Sequence, residues 1–311
     1  MTSPQAFIIP EERRQVTAGF AEVTLNGMGV GQSRLKHPWL RALGRDEMPA
    51  SITLRDVEYT HLRTYKHDFF AATGLYEGPD GRVILKLGRT AGFFGLPLSW
   101  IGKMLAAHEL DLYNAVHDLP GVPECLGPWR ETGLVHVFVE GHPLQRKEAV
   151  GDEFFPKLRQ LIQQLHERRI AYVDLEKREN ILVDDKGDPS LIDFQISFRW
   201  PQRHERRGWK RLVPSPLGGY VLRKLQNGDL YHLRKHERRH RRDLLTPAEI
   251  EASYRAGPLI RLHRLITRPL TLTRRGILKL LTGNARSDKQ DGAAFMEPVP
   301  REGGKQDAVQ S

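Results

Sequence analysis

The chain has 311 residues, 39% of them hydrophobic, which is enough to bury a core as one large domain or two small ones. Its single cysteine, Cys125, excludes a disulfide framework and a cysteine-based zinc site, and it favours a reducing compartment. No segment reaches the roughly 18 apolar residues that span a bilayer, and the N-terminus lacks an apolar signal core, so a soluble or peripheral cytoplasmic protein is expected.

From residue 51 the chain shows the pattern of β-strands joined by short turns. Residues 57–65 and 69–76 are predicted strands, and a Gly-Pro-Asp-Gly turn signal precedes a third strand at 82–87. Lys86 lies within this apolar third strand, where burial of a lysine is costly without a negative partner. The alternative is an edge-strand lysine that points to solvent.

A helix is predicted next, from about Leu98 to His117. Glu109 on this helix is the best candidate partner for Lys86, and a solvent-facing glutamate is the alternative. Two further segments follow, at 121–127 and 133–141, and the second ends like a hinge between two parts of the chain.

The next predicted helix, residues 153–168, is amphipathic. Its apolar residues are spaced by 3, 3, 1 and 3, which places them on one face of a 3.6-residue period. They are Phe155, Leu158, Leu161, Ile162 and Leu165.

Three polar residues follow in order around a short hairpin. Asp174 lies in the loop after the helix, Asn180 opens an apolar strand, and a turn at 184–189 leads to a second strand that delivers Asp193. Two strands joined by a tight turn bring Asn180 and Asp193 to the same end of the hairpin. Such a cluster of oxygen ligands suits a hard divalent cation.

This segment resembles the catalytic loop and metal-binding Asp of the protein-kinase-like superfamily, whose pattern is His-Arg-Asp-Leu-x-x-x-Asn followed by Asp-Phe-Gly. In character it is closest to bacterial lipopolysaccharide kinases and RIO-type atypical kinases. The resemblance implies an α+β, bilobal fold with an antiparallel β-rich N-lobe and a helical, shortened C-lobe. The implied regions are an N-terminal extension at 1–50, an N-lobe at 51–137, a C-lobe with basic C-terminal helices at 138–281 and a disordered tail at 282–311.

The resemblance also implies ATP and Mg²⁺ as cofactors and a role for each site residue. Asp174 would accept the proton of the attacking hydroxyl, and Lys177 would neutralise charge on the transferred group. Asn180 and Asp193 would hold Mg²⁺ against the phosphates. The nucleotide would be bound by Lys86 at its phosphates, by Glu109 fixing Lys86, by Lys66 in the hairpin that covers the phosphates, and by the link at 138–140 that includes Glu140. An ordinary hairpin lysine is the alternative for Lys66.

The sequence departs from the family pattern at four points. Tyr172 stands where the family has His, and Gln195 stands where it has Gly. The interval from Asp174 to Asn180 is one residue longer than in the pattern, and the first hairpin has no Gly-x-Gly-x-x-Gly. These departures favour a pseudokinase scaffold as an alternative to an enzyme.

The net charge of +10 is concentrated in the last third of the chain, because residues 196–281 hold 21 Lys and Arg against 6 Asp and Glu. The basic segment 199–211 suits an anionic acceptor beside the transfer site, and a solvated loop is the alternative. Residues 232–242 are interpreted as a basic helix with a solvated face, with nucleic acid as a less favoured partner. Residues 259–281 suit an anionic membrane surface or packing against the C-lobe.

The sequence therefore predicts a kinase that moves the γ-phosphoryl group of ATP to a hydroxyl. The expected acceptor is a sugar or a lipopolysaccharide-type glycolipid. An atypical Ser/Thr protein kinase and a nucleotide-binding pseudokinase are the two alternatives.

Overall fold

The structure is a computed structural model that describes residues 38–92, 96–206 and 208–254. The N-terminal part of the predicted extension, the amphipathic segment at 259–281 and the predicted tail at 282–311 lie outside the described residues. The strands are β1 (Ser51–Leu54), β2 (Val57–His67), β3 (Ala71–Gly78), β4 (Gly81–Gly88), β5 (Cys125–Trp129), β6 (Gly133–Val137), β7 (Gly141–Pro143), β8 (Ile170–Ala171), β9 (Ile181–Asp184), β10 (Pro189–Leu191) and β11 (Phe198–Arg199). The α-helices are α1 (Ser99–Val116), α2 (Phe154–Glu167), α3 (Ser215–His240) and α4 (Pro247–Tyr254).

Six strands form one antiparallel sheet in the order β1-β2-β3-β4-β6-β5. The β3–β4 hairpin closes at Gly78 and Gly81, where the Gly-Pro-Asp-Gly turn signal stands. β4 lies between β3 and β6, so both of its edges are hydrogen-bonded. Lys86 is consequently on an interior strand, and the alternative of an edge-strand lysine is wrong.

Residues 38–50 pack on this sheet rather than extending away from it. Ala42 and Met48 are buried, and the Ala42 carbonyl accepts hydrogen bonds from the backbone of Thr90 and Ala91. Arg89 is fully buried and donates to backbone carbonyls in this segment. Residues 38–50 therefore share buried contacts with the sheet, and the lobe boundary at residue 51 stays a prediction.

The second part of the chain is mainly helical. α2 buries the predicted apolar face, and its five predicted residues are all among the buried core. A three-stranded antiparallel sheet, β10-β9-β7, and the short β11-β8 pair lie beside the helices. This combination of an antiparallel sheet with a helical second lobe confirms the predicted α+β, kinase-like architecture.

Helix α3 carries the basic run at 232–240, but it is only partly a solvated face. His232, His236 and Glu237 are buried, and so is Asp229 one turn earlier. The Nε2 atom of His236 lies 2.8 Å from the carbonyl oxygen of Leu175, in the loop after Asp174. The helix thus supports that loop. The prediction of a solvated face is wrong for the side of the helix that carries these buried residues.

No helix among the described residues is long and apolar enough to cross a membrane.

Candidate active site

A largely buried lysine joins the two lobes through two carboxylates. The Lys86 ammonium group lies 2.8 Å from Glu109 and 2.6 Å from Asp193. β4 holds Lys86, α1 carries Glu109, and Asp193 follows β10 in the second lobe. The side chains of Lys86 and Glu109 are 12% and 3% exposed, so the solvent-facing alternative for Glu109 is also wrong.

The positive charge of Lys86 is compensated by the two carboxylates in contact with it. Burial alone would lower the pKa of Lys86, but the carboxylates of Asp193 and Glu109 outweigh it and raise that pKa above its ordinary value. Burial alone would raise the pKa of Asp193, but the charge of Lys86 outweighs it and lowers that pKa to about 2. Both groups are therefore charged at neutral pH, as binding of a metal–phosphate group requires.

The hairpin of β9 and β10 brings Asn180 and Asp193 together. Leu191 pairs with Ile181, and the backbone N–H of Ile192 donates to the carbonyl of Asn180 at 3.1 Å. Asp193 has a φ of 62°, a left-handed conformation that non-glycine residues adopt at a cost and that clusters at functional sites. Gln195 does not adopt a positive φ, so the backbone here does not require the glycine of the family pattern.

Asp174 is joined to Asn180 despite the longer loop. The Asn180 amide donates to Asp174 Oδ2 at 2.9 Å, and the Lys177 ammonium group donates to the same oxygen at 2.7 Å. A 3₁₀ turn at Arg178–Asn180 leads from this loop into β9. Burial raises the pKa of Asp174, and Lys177 opposes this rise. A raised pKa suits a group that must accept a proton near neutral pH.

The loop that carries Asp174 is held in place by Asp229 of α3. This fully buried carboxylate accepts hydrogen bonds from the backbone N–H groups of Tyr172 at 2.8 Å and Val173 at 2.7 Å. His166 Nε2 lies 3.0 Å from the same carboxylate. Sequence reasoning missed Asp229. A signal was present, since Asp229 and Glu237 are the two acidic residues of a strongly basic helix, and both are buried.

The donor set fits Mg²⁺ held together with nucleotide phosphates. Asp193 Oδ2 and Asn180 Oδ1 have no hydrogen-bond partner within the described part of the chain. No group of three or more His, Cys, Asp and Glu side chains that could hold a metal occurs among the described residues. A bound Mg²⁺ usually takes one or two ligand oxygens from the protein, and phosphates and water supply its other ligands.

The hairpin between β2 and β3 offers a side chain, but few backbone donors, to phosphates. The N–H groups of Phe70 and Ala71 both donate to the Asp68 carboxylate at 2.8 Å. Lys66 pairs with Asp68 at 2.6 Å, and its charge contributes to lowering the pKa of Asp193. Any contact of this turn with phosphates would therefore come mainly from Lys66.

Glu140 lies in the link between the lobes, where its carboxylate pairs with Arg82 at 2.5 Å. The Phe138 N–H donates to the Arg82 carbonyl at 3.0 Å. His136 precedes this link and is buried, and its burial together with the charge of Lys86 lowers its pKa to about 4. Tyr113 of α1 stacks on His136 with ring centroids 5.7 Å apart. Tyr113 and His136 thus form a buried aromatic pair next to this link.

The structure brings the predicted site residues together in the order expected from the sequence. Lys86 of the sheet pairs with Glu109 and Asp193, and Asp174 contacts Asn180. The structure has the α+β fold, with an antiparallel sheet and a mainly helical second part, that the sequence predicted. Its lipopolysaccharide-kinase character remains a prediction.

The chain is similar to the Rio2 kinase from Chaetomium thermophilum, with a TM-score of 0.40 and 17% sequence identity. The match covers 61% of this chain and 60% of the Rio2 chain, which is less than two thirds of that protein. No protein-family model matches the chain, and no curated protein matches it.

Proposed function

We propose that the protein is an ATP-dependent phosphotransferase that moves the γ-phosphoryl group to a hydroxyl. The observation that carries this proposal is Lys86 held between Glu109 and Asp193. A lysine buried with two carboxylates is charged and fixed in place, and it is poised to exchange the Asp193 contact for phosphate oxygens. Asp174 accepts a hydrogen bond from Asn180 and is the candidate group to receive the proton of the acceptor hydroxyl.

Each site residue has its own role in the proposed reaction. Lys86 binds and orients the phosphates, and Glu109 holds Lys86. Asp174 orients the acceptor hydroxyl and takes its proton while the hydroxyl oxygen forms a bond to the γ-phosphorus. The bond from that phosphorus to the bridging oxygen breaks, and ADP leaves with the electron pair. Lys177, which contacts Asp174, stabilises charge on the transferred group.

Asn180 and Asp193 would hold Mg²⁺, which when bound neutralises charge on the phosphates as the bond breaks. The pKa of Asp193 supports this role, because a carboxylate with a pKa of about 2 is fully ionised wherever ATP is stable.

The acceptor in this proposal is a sugar or a glycolipid, and the protein acts in the cytoplasm, where ATP is available. A Ser/Thr protein kinase is a second candidate. The pseudokinase alternative is less favoured, because Lys86, Glu109, Asp174, Asn180 and Asp193 are all present with mutually satisfied contacts.

Two measurements test the proposal. Mg·ATP should raise the melting temperature of the wild-type protein, and Asp193→Ala should lose both this shift and phosphoryl transfer. Asp188→Ala is the matched control, because Asp188 lies in the turn of the same hairpin and pairs with exposed Lys157. Transfer of radiolabelled phosphate is then measured with sugars, membrane lipid extract and protein as acceptors. Transfer by Asp193→Ala at the wild-type rate would refute the proposal.

A further inference from the structure

We propose that a basic pocket at the start of α3 binds a phosphate group already carried by the acceptor. This inference rests on the proposed phosphotransferase function and names the class of its substrate. The pocket has a volume of about 620 Å³ and is lined by residues 203, 206 and 211–216. Three arginines, Arg203, Arg206 and Arg211, line it together with Leu212 and Val213.

Arg206 forms the base of the pocket and is held in a fixed orientation. It is 5% exposed, and its guanidinium stacks over the Trp200 ring at 4.4 Å. Its Nε donates to the Pro201 carbonyl at 3.2 Å, and its Nη1 donates to the Ser215 hydroxyl at 3.0 Å. These contacts leave Nη2 without a partner among the described residues. A fixed guanidinium with a free amino group is suited to binding phosphate oxygens.

No described carboxylate balances the three arginine charges. Arg203, Arg206 and Arg211 form no ion pair within the described part of the chain. Glu205 is adjacent in sequence, but its Oε2 accepts a hydrogen bond from the backbone N–H of Gln202. Burial of an unpaired charge such as that of Arg206 is unfavourable unless an anion compensates for it. The chemistry of the pocket therefore calls for an anion.

One apolar cluster connects the pocket to the loop that carries Asp174. Val213, which lines the pocket, packs in the same apolar cluster as Val173, the residue before Asp174. Trp200, on which Arg206 stacks, is buried in this cluster with Ala171 of β8. An acceptor bound through a phosphate in the pocket could therefore present a hydroxyl toward Asp174. This arrangement separates acceptor recognition from the ATP cleft at Lys86.

Phosphate chemistry fits the pocket better than an apolar ligand does, but part of the wall is apolar. Leu212 is 86% exposed at the rim, and Leu217 is 56% exposed on the first turn of α3. A phosphate on a sugar and a phosphate in a lipid headgroup would both satisfy the arginines. The two sources differ in whether the apolar rim contributes to binding.

The first experiment measures phosphate binding by the full chain directly, so it does not depend on kinase activity. Isothermal titration with inorganic phosphate is performed on the wild type with Mg·AMP-PNP present to occupy the nucleotide cleft. Arg203→Ala/Arg211→Ala removes two exposed arginines from the pocket. Arg45→Ala/Arg146→Ala removes two exposed arginines elsewhere and is the charge-matched control. The pocket variant should lose affinity roughly tenfold or more, and the control should lose less than about twofold.

Equal losses in the two variants, or no phosphate binding by the wild type, would overturn the proposal. The same titration without nucleotide separates the two levels of inference. If the protein fails to bind Mg·ATP but still binds phosphate through Arg203 and Arg211, the proposed phosphate site is supported and the proposed kinase function is refuted.

The second experiment distinguishes the two sources of phosphate. Glucose 6-phosphate is compared with glucose, and vesicles containing phosphatidic acid are compared with pure phosphatidylcholine vesicles. Preference for glucose 6-phosphate alone indicates a soluble acceptor, and preference for phosphatidic acid vesicles indicates a headgroup. In transfer assays the pocket variant should raise KM for the phosphorylated acceptor while KM for ATP stays unchanged. An increase in KM for ATP alone would contradict a role in acceptor binding.

Discussion

The hydroxyl of Tyr172 donates a hydrogen bond to the carbonyl oxygen of Ile192, the residue immediately before Asp193. The ring of Tyr172 also packs edge-on against Phe194, with centroids 5.2 Å apart. One fully buried side chain thus connects the loop that carries Asp174 to the strand end that carries Asp193. Tyr172 stands where the family pattern has His, and this departure leaves the two carboxylates connected.

Tyr172→Phe should destabilise the protein by about 1 kcal/mol, because it removes one buried hydrogen bond and leaves the Ile192 carbonyl without its donor. Urea denaturation followed by tryptophan fluorescence measures this change. Tyr220→Phe is the control, because Tyr220 is 53% exposed. A loss of stability in the control as large as in Tyr172→Phe would contradict the structural role of the hydroxyl.

Asp229→Asn should cost about 2–4 kcal/mol of stability, because the new amide group places a donor against a backbone N–H donor of the catalytic loop. Phosphoryl transfer should fall as well, since Tyr172 and Val173 lose their common acceptor. Asp243→Asn is the control, because Asp243 is exposed and lies just after the C-terminal end of α3. It should change stability by less than about 0.5 kcal/mol. Wild-type stability in Asp229→Asn would rule out this support.

Lys177→Gln should move the acid limb of the pH–rate profile to higher pH. Transfer needs Asp174 ionised, so the rate is full above the pKa of Asp174 and falls as the pH drops through it. Burial already raises this pKa, and the charge of Lys177 opposes the rise. Removal of that charge therefore raises the pKa further. Lys186→Gln, in the exposed hairpin turn, should leave the profile in place, and a shift of the profile to lower pH in Lys177→Gln would be inconsistent with the assignment.

Two glycines of α3 should respond to alanine in opposite directions. A Cβ at Gly218 would lie 2.0 Å from the Trp200 ring, so Gly218→Ala should destabilise by about 1–3 kcal/mol through overpacking. It should also weaken phosphate binding, because Arg206 stacks on that ring. A Cβ at Gly228 would meet nothing within 4 Å, so Gly228→Ala should stabilise the helix by about 0.5–1 kcal/mol. Thermal denaturation of both variants decides whether Trp200 packs on α3 as described.

Elements with local patterns were predictable from the sequence. The face of α2 follows from a 3.6-residue period, and the β3–β4 hairpin follows from the turn at Gly78–Gly81. The packing of residues 38–50 was not predictable, because these residues have no period of their own and are held by contacts with Arg89 and the sheet. The inward side of α3 was also missed, since the charge count of a helix does not show which residues face a partner.

The sequence by itself determined which residue types stand in order along the chain: a lysine in an apolar strand, a glutamate on the next helix, and the Asp-Asn-Asp series around a hairpin. Only the tertiary structure decided which of them meet. Lys86 reaches Asp193 across 107 residues of sequence, and Asp229 reaches the Tyr172 N–H across 57. Turns and periods are local and can be read from neighbouring residues. Such long-range contacts depend on how whole elements pack, because a buried charge or N–H group can pair only with the groups that packing brings next to it.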